Sequence, residues 1–224
     1  MNESNVVTAN EAQATARERQ GIVAWAGQQY GVEASKVMGV LRATCFSTGK
    51  NEEPATDAEV AGLLVVSRAY NLNPFLREIF AFRDKKGGIV PVVGVDGWSR
   101  IINDKKELDG IEFRYSEQPA PEWIECVIYR KDRSHPTVVR ELLSECKRDT
   151  QPWKTHTSRM LRHKAFIQAS RLCFGLAGIY DEDEARDIVR NAARTTEALD
   201  VPPPPKVPRT AQVPAKLAHT QTLQ

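Results

Sequence analysis

Two apolar runs joined by turn residues form the most strongly patterned stretch of the chain, IFAFRDKKGGIVPVVGVDGWSRII, residues 79–102. Residues 79–83 alternate apolar and other positions at a strand's period of two, and residues 89–93 are a second apolar run. Asp84-Lys85-Lys86-Gly87-Gly88 between them supplies turn residues, so a hairpin is predicted, with Gly87 or Gly88 at the positive-φ position. Gly94-Val95-Asp96-Gly97 then breaks the strand. Asp96 is placed to cap a short helix over 97–103, its carboxylate accepting from first-turn amides.

Helical periodicity dominates on both sides of this unit. A helix over 11–30 carries an apolar stripe of Ile22, Val23, Trp25 and Ala26, and a second over 34–46 carries Val37, Met38, Val40 and Leu41. Thr56-Asp57-Ala58-Glu59 reads as a capping box opening a third helix over 57–70, whose Leu63-Leu64-Val65-Val66 run is too apolar to face water. Asn71-Leu72-Asn73-Pro74 stops it. After the hairpin unit, Asp109-Gly110 turns into a strand over 111–115, residues 123–130 alternate as a half-buried strand, and a charged turn precedes a last strand over 137–140. A long helix follows over 157–174, ended by Gly175 and Gly178, and Asp181-Glu182-Asp183-Glu184 caps another running to about 195. The whole is an α+β arrangement, an antiparallel sheet of four or five strands flanked by helices.

The pattern also sets the limits of the domain. Residues 1–10 read as disordered, 11–200 as one core domain, and 201–224, with six prolines, as a disordered or polyproline tail. A length of 224 residues, 27% charged and 41% hydrophobic, suits one such core with appendages. There is no apolar signal core at the amino terminus and no run approaching the ~20 apolar residues of a membrane span, so a cytoplasmic protein without membrane contact is expected. Cys45, Cys126, Cys146 and Cys173 are widely spaced, which favours reduced, buried thiols over a zinc site.

Net charge, at +2, says little; its distribution says more. Residues 147–175 hold seven basic residues and one acid, whereas residues 176–200 hold three basic residues and seven acids. A polyanion would sit at the first block and avoid the second. Within 157–174, Arg159, Arg162 and His163 lie together at i, i+3 and i+4, and Lys164 and Arg171 share another line with Gln168. Leu161, Ala165, Gln168, Ala169 and Leu172 form the expected core stripe. The helix itself has no acid to pair with its cations, which favours phosphate contacts over a merely solvated face.

Other candidates have two readings. Trp98 either stacks on a base or fills the core, with Arg100 beside it as a further DNA contact. Lys131 and Arg133 either clamp phosphate or sit in a solvated turn. Asp181–Glu184 either cap a helix or dock onto a neighbouring subunit's basic face. No GxxxxGK[ST] phosphate loop occurs, which argues against an ATP-driven motor, and no GxSxG or HExxH appears. Asp84, Asp96 and Glu125 could be assembled into a nuclease-like metal site, although a turn, a cap and a strand face explain each equally well.

The blocks NPFLREIFAFRDKKGGIVPVVGVDGWSRIIND, IYRKDRSHP and PWKTHTSRMLRHKAFIQASRLCFGLAGIYDEDEARDIV, spread over about 55–190, closely resemble the phage single-strand annealing recombinases of the Redβ/RecT family, nearer to the Redβ branch. The resemblance implies ATP-independent coating of single-stranded DNA and pairing with a complementary strand through an annealed duplex intermediate, in rings or helical filaments. It also implies a homo-oligomer, a partner exonuclease, and contact with the host single-stranded-DNA-binding protein. No cofactor is implied beyond Mg2+ as a counterion for DNA, and nothing covalent changes. Carried over by position, it puts DNA contacts at Lys131, Arg159, Lys164 and Arg171, with Arg162 and His163 matching in kind. Ser158 stands where the family has a lysine, and the stretch 146–153 is shorter than in Redβ. Relatives continue into a helical domain that binds partners, where this chain has its proline-rich tail. Passive coating of single strands and metal-dependent cleavage are the alternatives to annealing.

Overall fold

A computed structural model describes residues 19–46, 53–84, 88–117 and 121–198, with side chains of the last helix as far as 192. Helix α1 covers 19–30, followed by α2 (Ala34–Cys45) and α3 (Asp57–Ala69). A 3-10 turn (Pro74–Leu76) leads into strands β1 (Ile79–Arg83) and β2 (Ile89–Val93), then α4 (Val95–Asn103). Strands β3 (Leu108–Tyr115), β4 (Trp123–Arg130) and β5 (Thr137–Leu142) come next. Two short helices, α5 (Leu143–Cys146) and α6 (Gln151–Thr155), precede α7 (Thr157–Phe174) and α8 (Glu182–Ala198).

The class is the expected α+β, but the five strands form two antiparallel sheets: β1–β2 alone, and β3–β4–β5. The predicted hairpin forms, pairing from Ile79 opposite Val93 to Arg83 opposite Ile89. Gly88 does not take a positive φ, and Gly87 lies outside the described residues. β3 begins three residues earlier than predicted, because Asp109-Gly110 is a bulge within the strand instead of a turn before it.

Capping chemistry explains most helix starts. In α3, Thr56 accepts from the Glu59 amide and Glu59 accepts from the Thr56 amide, closing the predicted box. Leu63 and Leu64 are fully buried, but Val65 is 57% exposed, so that run does reach solvent. Asp96 is not a cap: α4 starts at Val95 behind Gly94, and the Asp96 carboxylate sits in the first turn, where it complements the helix dipole. Gly97 allows α4 to lie against the β1–β2 unit, since a Cβ there would collide with the Glu78 carbonyl and Val93. Alanine at 97 is therefore expected to cost about 1–3 kcal/mol.

One large core joins α2, α3, the inner face of the hairpin, α4, the three-stranded sheet and α7. The outer face of the hairpin has a smaller cluster, Val90, Val92 and Ala185 with Phe80, Phe82, Tyr180 and Val189 against it, so α8 is held on β1–β2. Two backbone bonds fix its approach: Val93 N–H donates to the Tyr180 carbonyl at 2.9 Å, and Tyr180 N–H donates to Pro91 at 3.1 Å. α8 thus bridges the hairpin and α7. All four cysteines are free and buried, as expected, and burial pushes the Cys126 thiol up to about 12.

Candidate nucleic-acid interface on helix α7

Helix α7 lies across β4 and β5 and packs against α4 and α6. Its start is held by Thr157, whose hydroxyl donates to the Trp153 carbonyl at 2.7 Å, and its end by Gly175 at φ +64°. Leu161, Ala165 and Ala169 are buried as predicted, but Leu172 is 69% exposed and the core face is wider than one stripe. Lys164, Phe166, Ile167, Ser170 and Cys173 are buried as well, because β4 and β5 cover one flank while the α8 junction covers another. The helix is therefore enclosed over most of its circumference, leaving its cations two kinds of place to go.

The first kind is the amino-terminal side. Arg159 is exposed, Arg162 and His163 are half-buried, and no carboxylate among the described residues is ion-paired to either arginine. The Arg162 guanidinium lies 6.0 Å from the Phe113 ring, which in turn meets Phe166 edge-on. Burial, then the fields of Arg162 and Arg159, push the His163 imidazole below its ordinary value, and Asp96 on α4 opposes them. Apart from the field of Asp96 this corner is cationic, and its two arginines have no ion-pair partner among the described residues.

The second kind is the line facing α8. Lys164 Nζ lies 2.6 Å from Asp181 Oδ1 and 3.0 Å from Asp183 Oδ2, with side-chain exposures of 11%, 9% and 14%. Burial alone would push the Lys164 ammonium down, but the two carboxylates outweigh it and hold it above its usual range. Trp153 Nε1 also donates to Asp183, at 3.1 Å. Two turns on, Arg171 Nη1 donates to both Glu184 oxygens at 2.9 Å, and from the turn between, Gln168 Nε2 donates to Glu184 Oε1 at 2.9 Å. The same acids cap α8: Asp181 Oδ1 accepts from the amides of Asp183 and Glu184 at 2.8 and 3.1 Å. The capping reading of Asp181–Glu184 thus holds, and the basic face they dock on is their own chain's.

Absence of acids on α7 itself therefore did not mean unpaired cations. As placed, Lys164 offers no open face to a phosphate, and Arg171 is already bound by a carboxylate. The partners lie 13 to 19 residues downstream, in the acidic block that directly follows the basic one. That juxtaposition of opposite blocks was the available signal. Arg148, Arg186 and Arg190 also border a cleft between the segment 148–150 and α8, with Arg148 3.5 Å from Asp187; sequence reasoning did not select them as contacts.

Remaining candidates separate cleanly. Trp98 is fully buried in the main core with an unpartnered indole N–H, so of its two readings the core one holds and the stacking contact does not. Arg100 is bound by both Glu78 oxygens, at 2.8 and 3.1 Å, and so is not a free cation either. Lys131 and Arg133 are exposed in the β4–β5 turn. That turn lies at the carboxyl end of α7, because Arg130 just before it donates to the Cys173 carbonyl and stacks on Phe174. Arg159 is 14 residues from Cys173, about 20 Å along the helix. Asp84, Asp96 and Glu125 do not converge: no group of three or more His, Cys, Asp or Glu able to hold a metal exists among the described residues, and Glu125 is paired with Arg140. No described helix is long and apolar enough to cross a membrane.

The sequence model of the RecT family matches residues 34–196, which takes in every element from α2 through most of α8. The chain belongs to the RecT family. It is similar to the recombination protein bet of Escherichia phage lambda, with 48% identity over 176 residues. The match takes in 74% of this chain and 64% of that protein, so the chain spans a little under two thirds of the relative's length. The family membership implied by the three sequence blocks is borne out.

Proposed function

We propose that the protein binds single-stranded DNA and anneals complementary strands in phage recombination, without ATP, as a homo-oligomer. The observation that carries this reading is membership of the RecT family together with an uncompensated cationic corner on α7, at Arg159 and Arg162. Annealing two polyanions requires neutralising their phosphates while the base edges stay free to pair. Arginines on a rigid, buried helix supply fixed backbone contacts, and repetition along an oligomer holds a strand extended. No acid, base or nucleophile is needed, so the protein acts as a binding protein and not as an enzyme. Mg2+ enters only as a counterion for DNA. A cytoplasmic site of action, a partner exonuclease and contact with the host single-stranded-DNA-binding protein belong to the same proposal.

The test is to mix complementary labelled oligonucleotides with the full chain, strip the protein, and measure duplex formed, with and without nucleotide. Pairing faster than the spontaneous rate in the absence of nucleotide is expected. Binding with no acceleration would leave a passive coat, and a strict need for ATP hydrolysis would end the annealing reading.

A further inference from the structure

Glu184 holds the position that a phosphate would need at Arg171. Its two oxygens accept both contacts from Arg171 Nη1 and the Gln168 amide donor, while the Arg171 guanidinium lies 5.5 Å from the Tyr180 ring. A guanidinium and a neutral amide converging on one oxyanion would serve a phosphate as well as a carboxylate. We infer that Glu184 is an intramolecular competitor for the Arg171–Gln168 anion site, displaced by a DNA phosphate through rotation of its own side chain. The inference rests on the DNA-binding reading and adds how this part of the surface is regulated.

The contrast with Lys164 identifies which pair can exchange. Asp181 is locked by Lys164 and two helix amides, and the preceding residue, Tyr180, is bonded on both sides to β2. Ala185 is buried against the hairpin, so the helix backbone is fixed on either side of Glu184. Arg171 and Glu184 are more open, at 21% and 28% side-chain exposure, and among the described residues the only other contact to Glu184's carboxylate is a long one from the Asp181 amide, 3.4 Å. Exchange therefore needs new rotamers of one glutamate and no movement of α8. A site occupied by its own carboxylate binds phosphate with an affinity lowered by the fraction of time it is blocked. Such weakening suits a protein that must let a strand shift until it finds its complement.

The experiment compares the full chain with Glu184→Gln and with Glu112→Gln, a matched charge change at an exposed pair with Arg114 on β3. Binding of a labelled single-stranded oligonucleotide is followed by fluorescence anisotropy across a salt series, with melting curves alongside. Glu184→Gln should bind roughly threefold to tenfold tighter than Glu112→Gln, the size expected when a half-buried ion pair no longer competes. Arg171→Ala should cancel that gain. Equal affinity of the two glutamine variants overturns the inference, as does a gain that survives Arg171→Ala. A Glu184→Gln protein that melts lower and binds no tighter also overturns it, showing the carboxylate to be purely structural. If the wild type binds and anneals while the two variants agree, only this inference falls; if the wild type retains no oligonucleotide, the proposed function falls with it.

Discussion

The two cationic lines of α7 are built from the same residue types on the same helix, yet only one is left uncompensated. Arg159 and Arg162 have no carboxylate partner among the described residues, whereas Lys164 and Arg171 are matched by three acids, Asp181 just before α8 and Asp183 and Glu184 in its first turn. The difference follows from what packs over each line. β3 reaches the first with an aromatic ring, Phe113, while the acidic α8 junction, pinned to β2, covers the second. A cation count on one helix therefore overstates its field; the neighbouring element decides how much of that charge reaches solvent.

The largest effect that would test this contrast is on stability. Lys164→Ala leaves Asp181 and Asp183 buried without their cation, a defect expected to cost about 3–5 kcal/mol. Arg159→Ala, at an exposed position, should change urea stability by less than about 0.5 kcal/mol. The pH sign is fixed by the raised Lys164 value. Its contribution is complete below the ordinary lysine range and is lost as pH rises through the higher folded value, so the loss in the variant should be undiminished at neutral pH. Equal melting of the two alanine variants would mean that the α7–α8 network holds nothing together.

DNA affinity should show the opposite ranking. Arg159→Ala and Arg162→Ala should each weaken binding similarly for all base sequences and flatten the log–log salt dependence by about 0.7 per lost single-strand contact. Lys164→Ala, measured below its melting temperature, should keep the wild-type slope. A flattened slope in the Lys164 variant alone would invert the comparison and return the phosphate to the buried line.

The hairpin, β4 and α7 were legible because each is dictated locally: by alternation, by turn residues and by a left-handed glycine at the helix end. The division into two sheets was not, since pairing between strands distant in sequence leaves no local mark. On the interface, periodicity placed Arg159, Arg162 and His163 together correctly. It could not say that Lys164 faces inward, because an ion-paired lysine in a packed groove occupies a position the pattern marks as polar. Trp98 was open between stacking and core in the pattern alone, and the packing of α4 against the hairpin at Gly97 accompanies its full burial.

The smallest predicted effect separates the lines by protons instead of salt. His163 stands beside Arg159 and Arg162, and burial together with their fields keeps its folded pKa below the unfolded value near 6.5. Above that pH both states are neutral and the residue contributes no pH dependence. As pH falls through 6.5, the unfolded chain takes the proton first, so stability declines until the lower folded value is passed. A phosphate bound at the two arginines reverses the balance, because it screens their fields and favours the imidazolium. DNA-bound protein should then take up a proton that free protein refuses, and affinity should rise by roughly twofold to fivefold between pH 7 and pH 5.5. His163→Gln should remove that rise while retaining most of the binding at pH 7.5. Titration of both proteins over this range, with His156 and His135 intact in each, isolates the one imidazole; an identical pH response in wild type and variant would place the phosphate elsewhere than at Arg159 and Arg162.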